Sequence, residues 1–298
     1  MRKLNGIVCA NITPMHADGS IDYNSLRNLV DRVADNGING IYPCGTNGEG
    51  VSLCAEEHFK IAMTVTDQNA KRMAVYIQCA TFNWQDTMEN IRRVRDLQID
   101  GVGVMTPSFY KTDDISILEY YRDVSEAARD LPVYMYNIPK NTNNDISVEA
   151  FEKIIDIYPN IIGIKYSNGD IKRIQDYMRA PKTRKADVLI GADSLIVSAL
   201  AAGCVGEVSG PSCVFPVRFS TLYRAWCNGD LELALEMQNK IVNTARMIQS
   251  VPQIPAIKAM LKMQGVIEDD TCRRPFRKLT TEELRILEKA VDLYEKEG

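Results

Sequence analysis

The chain has only two histidines, and His16 and His58 stand far apart. Neither lies near a cluster of cysteines, and none of the eight cysteines forms a C-x-x-C pair. The spacings that hold a structural metal are therefore missing, and no metal site is expected. No apolar run is long enough to span a bilayer, and Met1–Gly6 leads straight into a strand-like segment rather than a signal peptide. No basic block stands out and the formal net charge is −4, which argues against a general binder of nucleic acid or of anionic membranes. No G-x-G-x-x-G follows the first strand candidate, which weighs against a dinucleotide fold. What is left is the composition of an ordinary globular protein, 45% hydrophobic and 25% charged. Its 298 residues suffice for one large domain or a barrel with an appendage. Cys9, Cys44, Cys79 and Cys204 sit in apolar or small-residue runs, so reduced thiols in a cytoplasmic protein are expected.

Short apolar runs alternate with longer amphipathic ones over residues 1–228. The strand candidates are Gly6–Ile12, Gly40–Pro43, Ala74–Gln78, Gly101–Met105, Val133–Tyr136, Ile161–Lys165, Val188–Ile190 and Gly206–Val208. Helical patterns follow each, near Tyr23–Asn36, Glu56–Gln68, Trp84–Leu97, Ile115–Arg129, Val148–Ile157, Ile171–Met178, Ser194–Ala201 and Val214–Cys227. Asp22 and Ser147 are candidate N-caps, acids stand at the start of the pattern at Asp113-Asp114, and Gly37 suits a helix end. Eight strand-then-helix units predict a closed (β/α)8 TIM barrel rather than an open doubly wound sheet. Residues 229–298 carry helical patterns alone, at Leu231–Met247, Ile254–Gln264 and Thr281–Glu295. No linker-like composition precedes them, so a helical extension packed on the barrel is expected.

In a parallel barrel the strand ends and the loops after them form the active face. The second strand candidate runs into Gly45-Thr46-Asn47-Gly48-Glu49-Gly50, a turn whose N–H groups and Thr46 hydroxyl suit an anion such as a carboxylate. Its alternative is a tight connection and nothing more. It lacks the Gly-Lys-Ser/Thr end of a phosphate loop. Tyr136 ends the fifth strand, either as a core aromatic or as a phenol that shuttles protons. Lys165 ends the sixth, Ile161-Ile162-Gly163-Ile164-Lys165, and is followed by the polar turn Ser167–Asp170. A cation inside such a strand costs several kcal/mol of desolvation unless paired. Either Lys165 snorkels to solvent, or it is an amine nucleophile placed for imine formation with a ketone.

Gly45-Thr46-Asn47-Gly48-Glu49, Tyr136-Asn137-Ile138-Pro139 and Gly163-Ile164-Lys165-Tyr166-Ser167, with the opening Ala10–Met15, resemble the dihydrodipicolinate synthase / N-acetylneuraminate lyase family. The likeness runs along the whole chain. It implies a TIM barrel with C-terminal helices, usually a homotetramer, and a class I Schiff-base reaction of pyruvate or another 2-oxo acid with an aldehyde. It implies no metal and no organic cofactor. Lys165 resembles the imine-forming lysine and Tyr136 the relay phenol. Thr46 resembles the hydroxyl between Tyr136 and the substrate carboxylate, and the Thr46 and Asn47 amides the carboxylate cradle.

The departures bear on the aldehyde. Asn47 replaces the threonine or serine-threonine pattern of the two named branches. Asn141 stands where the synthases carry an arginine for the aldehyde's carboxylate, and losing that charged pair costs roughly 1.5–3 kcal/mol. The tyrosine lent by a neighbouring subunit falls on Phe109, with Tyr110 beside it, and Ser167 stands where sialic-acid lyases have threonine. Asn47, Asn141 and Ser167 together are closer to the 4-hydroxy-2-oxoglutarate and sugar-acid aldolases, and suit a hydroxylated partner. Val208 is placed in the substrate-binding set, Glu49 braces its loop, and Asp193 is either a helix N-cap or a contact to substrate hydroxyls. Dihydrodipicolinate synthase, N-acetylneuraminate lyase and a silent 2-oxo-acid-binding barrel are the alternatives. A phosphate- or flavin-dependent barrel is disfavoured by Glu207, an acid where a phosphate loop belongs.

Overall fold

Eight strands too short to stand alone pair in parallel and in chain order until the last meets the first, closing the sheet into a barrel. They are β1 Gly6–Cys9, β2 Gly40–Ile41, β3 Ala74–Gln78, β4 Gly101–Met105, β5 Val133–Asn137, β6 Ile161–Tyr166, β7 Asp187–Ile190 and β8 Gly206–Ser209. The computed structural model describes residues 1–297. Helices α1 Tyr23–Asp35, α2 Ala55–Asn69, α3 Trp84–Val94 and α4 Asp114–Ala128 follow the first four strands. A short α5, Pro139–Thr142, precedes α6 Val148–Ile157; then come α7 Ile171–Arg179, α8 Ile196–Ala202 and α9 Pro216–Cys227. The turn after α9 leads into α10 Leu231–Ile248, α11 Gln253–Met263 and α12 Thr281–Glu297. This is the expected TIM barrel with C-terminal helices.

The expected caps are where the side chains suggested. Asp22 accepts from the amides of Asn24 and Ser25, Ser147 from Ala150, and Asp113 from Ser116, which satisfies amides that the first turn leaves open. Two strands are shorter than expected. β2 stops at Ile41 because Pro43 has no N–H to continue the ladder. β1 stops at Cys9, and the chain then crosses to the β2 loop, where the Thr13 hydroxyl donates to the Gly48 carbonyl at 2.7 Å. The helix expected from Ser194 begins at Ile196, after a single 3-10 turn over Asp193–Leu195.

Strand alternation divides the interior in two. Leu4, Val8, Ala10, Tyr42, Ala74, Tyr76, Tyr134, Leu189 and Val208 fill the barrel lumen. The opposite faces of the strands, with Ile7, Ile41, Val102, Ile164 and Ile190, pack under the helices in one larger core. That outer core takes in Ile241 of α10, Ile257 and Met260 of α11 and Leu287 of α12, so the C-terminal helices share it. None of the eight cysteines is paired. Among the described residues, no helix is long and apolar enough to cross a membrane.

Candidate active site

Tyr136 and Lys165 are register partners on adjacent strands, both at the C-terminal mouth of the barrel. Lys165 is 4% exposed, so it does not snorkel to solvent. Its Nζ lies 3.9 Å from the centroid of the Tyr136 ring and 4.9 Å from that of Tyr42. Among the described residues no carboxylate and no hydrogen-bond acceptor engages that nitrogen. A desolvated amine held in no ion pair is the setting that a lysine nucleophile uses.

The Tyr136 hydroxyl lies 3.2 Å from Thr46 Oγ1, and either oxygen can donate. Asn137, the next residue, is fully buried and donates to Asp145 at 2.7 Å and to the Tyr177 hydroxyl at 3.0 Å, which anchors the strand end. Gly210 and Gly191 mark two close approaches. A Cβ at Gly210 would come within 2.5 Å of Asn47 Nδ2, so the Asn47 side chain lies against the start of the loop after β8. A Cβ at Gly191 would come within 2.1 Å of Ser167 Oγ and 3.3 Å of Lys165 Cε, which puts Ser167 beside the lysine stem. Val208 closes the lumen below.

Asn141 is exposed and lines a cavity of about 230 Å³ together with Thr46, Gln78, Met105, Ser108 and Thr142. Tyr110 is not brought into this group. It is 76% exposed, packs edge-on against Phe109 at 5.1 Å, and borders a different hollow with Phe82 and Trp84. Phe109 is itself 73% exposed and held at φ +76°, a region bulky side chains rarely enter.

The N-cap alternative for Asp193 is not what forms. Ala192 precedes the 3-10 turn, Leu195 precedes α8, and neither helix start has a side-chain cap. The Asp193 carboxyl turns instead toward Ser209 and Glu207, leaving its Oδ1 shut off from solvent with no donor. Burial pushes Asp193 above the usual carboxylate range, opposed by the neighbouring Ser209 and Glu207 side chains and by the charge of Lys165. Glu207 is fully buried and neither of its oxygens has a donor among the described residues. Burial, then the neighbouring Asp193 carboxyl, push it well above its ordinary range. Two buried carboxyls side by side resist ionising together.

Three features escaped the sequence. Tyr42, a second ring beside Lys165, is buried with a hydroxyl that has no hydrogen-bond partner among the described residues; its signal is its place one residue before the turn that leads to Thr46. The facing of Asp193 and Glu207 had no signal, since it depends on how β8 meets the turn after β7. Lys258 is fully buried and paired with Glu49 at 2.5 Å. The apolar flanks of Pro255-Ala256-Ile257-Lys258-Ala259-Met260-Leu261 could have shown it. His16 comes near Asp22 and Glu268, but the Asp22 oxygens already serve the amides of Asn24 and Ser25 and the Ser25 hydroxyl.

The Dihydrodipicolinate synthetase family profile matches residues 3–293. A 4-hydroxy-tetrahydrodipicolinate synthase of Bartonella bacilliformis is 32% identical over 284 residues, covering 94% of this chain and 95% of its own. The crystal structure of dihydrodipicolinate synthase from Aquifex aeolicus superposes with a TM-score of 0.92 at 27% identity, over 98% of both chains. A prophage protein of the dihydrodipicolinic acid synthase family from E. coli K12, solved in complex with pyruvate, gives 0.93 at 25% identity over 99% of each chain. Matched from residue 3 to residue 293, the chain belongs to the dihydrodipicolinate synthetase family, and with it to the class I carbon–carbon lyases that work through a lysine Schiff base.

Proposed function

We propose that this enzyme joins pyruvate, or a close 2-oxo acid, to a hydroxylated aldehyde, or cleaves the corresponding product, with Lys165 as the Schiff-base lysine. The unprotonated Lys165 amine adds to the ketone carbon, and loss of water from the carbinolamine gives the imine. The protonated imine then takes up the electron pair of the breaking C–C bond, forming an enamine, and the same steps reversed make the bond. Tyr136 carries protons between the amine, the departing water and the partner's hydroxyl, held for this by Thr46. The Thr46 and Asn47 amides take the substrate carboxylate. Asn141, Ser167 and Asp193 supply the polar side that faces the aldehyde, and Val208 closes the floor. Side chains carry each of these steps, so no cofactor is assigned.

The observation that carries this reading is the register of Tyr136 with Lys165, with the amine 3.9 Å from the phenol ring and the phenol 3.2 Å from Thr46. A neutral Asn141 in the cavity beside Thr46 supports a hydroxylated partner over one with a second carboxylate. The runner-up is 4-hydroxy-tetrahydrodipicolinate synthase, favoured by the Bartonella relative's name. A cytoplasmic location and a homotetramer belong to the same proposal, the assembly supported by the bare Phe109–Tyr110 pair, which another subunit's surface would cover. Residues 1–228 are proposed as the catalytic barrel and 229–298 as its appendage.

Pyruvate and borohydride together should leave a reduced adduct on Lys165, read by mass and peptide mapping. No mass gain would overturn the assignment. A rate comparison of glyoxylate, sugar aldehydes and aspartate semialdehyde decides the partner, and efficient turnover of the last would favour the runner-up.

A further inference from the structure

The loop that holds Thr46 and Asn47 is fastened from outside the barrel. Glu49 sits in it at φ +54° with a side chain fully out of solvent. Its amide donates to the Thr46 carbonyl at 3.2 Å, and the next amide, Gly50, donates to Gly45 at 3.1 Å. The position of Glu49 therefore sets that of Thr46. Lys258 of α11, also fully buried, reaches one carboxylate oxygen at 2.5 Å and donates to the Thr271 carbonyl at 2.7 Å. The Arg273 amide donates to the other oxygen at 2.8 Å. The Arg273 guanidinium ties the same stretch further along, to the Ser52 carbonyl at 2.8 Å and to Glu57. Gln253, at the start of α11, donates to Asn47 Oδ1 at 3.4 Å.

We propose that Lys258 is a positioning residue for the 2-oxo-acid carboxylate: through Glu49 it fixes the Thr46–Asn47 cradle, and its charge cancels the anion that would otherwise stand behind that cradle. The inference rests on the proposed role of Thr46 and Asn47. A buried carboxylate deprived of its cation repels an anionic substrate nearby, and a carboxylate held by the Arg273 amide alone holds the loop less firmly. Removing the lysine alone does both. Removing both charges, as in Glu49→Gln/Lys258→Met, cures the repulsion and the unpaired charge but cuts the tie to α11, leaving the loop held more loosely by Arg273 and Gln253. Lys165, Tyr136 and the barrel register are untouched in either variant, so the change falls on substrate capture rather than on chemistry at the imine.

The test compares wild type, Lys258→Met, the double variant and Lys262→Met, a control on the same helix whose lysine is part-exposed and paired with Asp270. Trapping with borohydride over a range of pyruvate concentrations should show half-saturation raised about tenfold or more in the double variant and further in Lys258→Met, with the maximal trapping rate nearly unchanged. Hydrogen exchange without ligand should quicken at the Thr46–Gly50 amides in the double variant and not in Lys262→Met. If Lys258→Met does not fold, the double variant carries both readouts. Wild-type half-saturation in the double variant, or a loss confined to the maximal rate, would overturn the role of Lys258. So would unchanged exchange at 46–50. A wild-type enzyme that forms no adduct instead sinks the Schiff-base reading, and exchange still judges the fastening by itself.

Discussion

Lys165 and Lys258 are both shut off from water, at 4% and 0% exposure, yet of the two only Lys258 forms an ion pair among the described residues. Lys258 sits among helices with a carboxylate and a carbonyl on its ammonium, so its burial is compensated. Lys165 sits at the mouth of the barrel with ring faces beside it; Asp193 and Glu207 feel its charge, but among the described residues no carboxylate forms an ion pair with it. A lysine fully satisfied by the protein has nothing to offer a substrate, whereas one left unsatisfied gains by reacting. The pair separates a lysine that holds a structure from one that the structure holds ready.

The sharpest way to break the comparison is to delete the unsatisfied one. Lys165→Ala should abolish both turnover and the borohydride adduct while leaving the melting temperature at or above wild type, because an uncompensated buried amine is lost. A clear drop in thermal stability would place Lys165 with Lys258. Tyr136→Phe keeps the ring beside the amine and removes only the hydroxyl, so turnover should fall about 10²–10⁴-fold in steady-state kinetics. Lys258→Met should do the reverse of Lys165→Ala. Equilibrium unfolding in urea should show a loss of about 3–5 kcal/mol, most of it recovered when Glu49→Gln is added.

Two smaller effects concern acids held in opposite ways. Glu207, raised by burial, binds its proton more tightly folded than unfolded, so its contribution to stability falls as pH rises above its ordinary 4.5. Glu207→Gln should therefore stabilise the protein by about 1–3 kcal/mol at pH 7, with the gain shrinking toward zero below 4.5, read from melts across pH. Glu57, held down at about 2 by Arg273, has the opposite sign. Its contribution is complete above 4.5 and is lost as pH falls toward 2, so Glu57→Gln should flatten the acid limb of the same melts by about 1 kcal/mol.

The barrel was legible because its signals are local. Ala74–Gln78 and Gly101–Met105 were expected at both ends, since apolar runs flanked by turns need no partner to be recognised. Lys165, Tyr136 and Thr46 were legible because strand ends in a parallel barrel converge on one face, so three separate motifs meet there. Long-range pairs were not legible. Nothing around Glu49 announces that its cation comes from α11, and nothing around Asp193 announces that its carboxyl turns toward β8 instead of capping a helix. Such contacts arise only once the outer layer has packed.

Because the phenol and the amine are neighbours across one rung of the ladder, their separation is dictated by the spacing of paired strands, about 4.8 Å, and owes little to any loop. The reaction centre is thus insulated from change at the rim. On the proposed roles, the rim segments carrying Asn141, Ser108 or Phe109 can be exchanged for others of different length and polarity, which retargets the enzyme to new aldehydes while the pairing of Tyr136 with Lys165 stays unaltered.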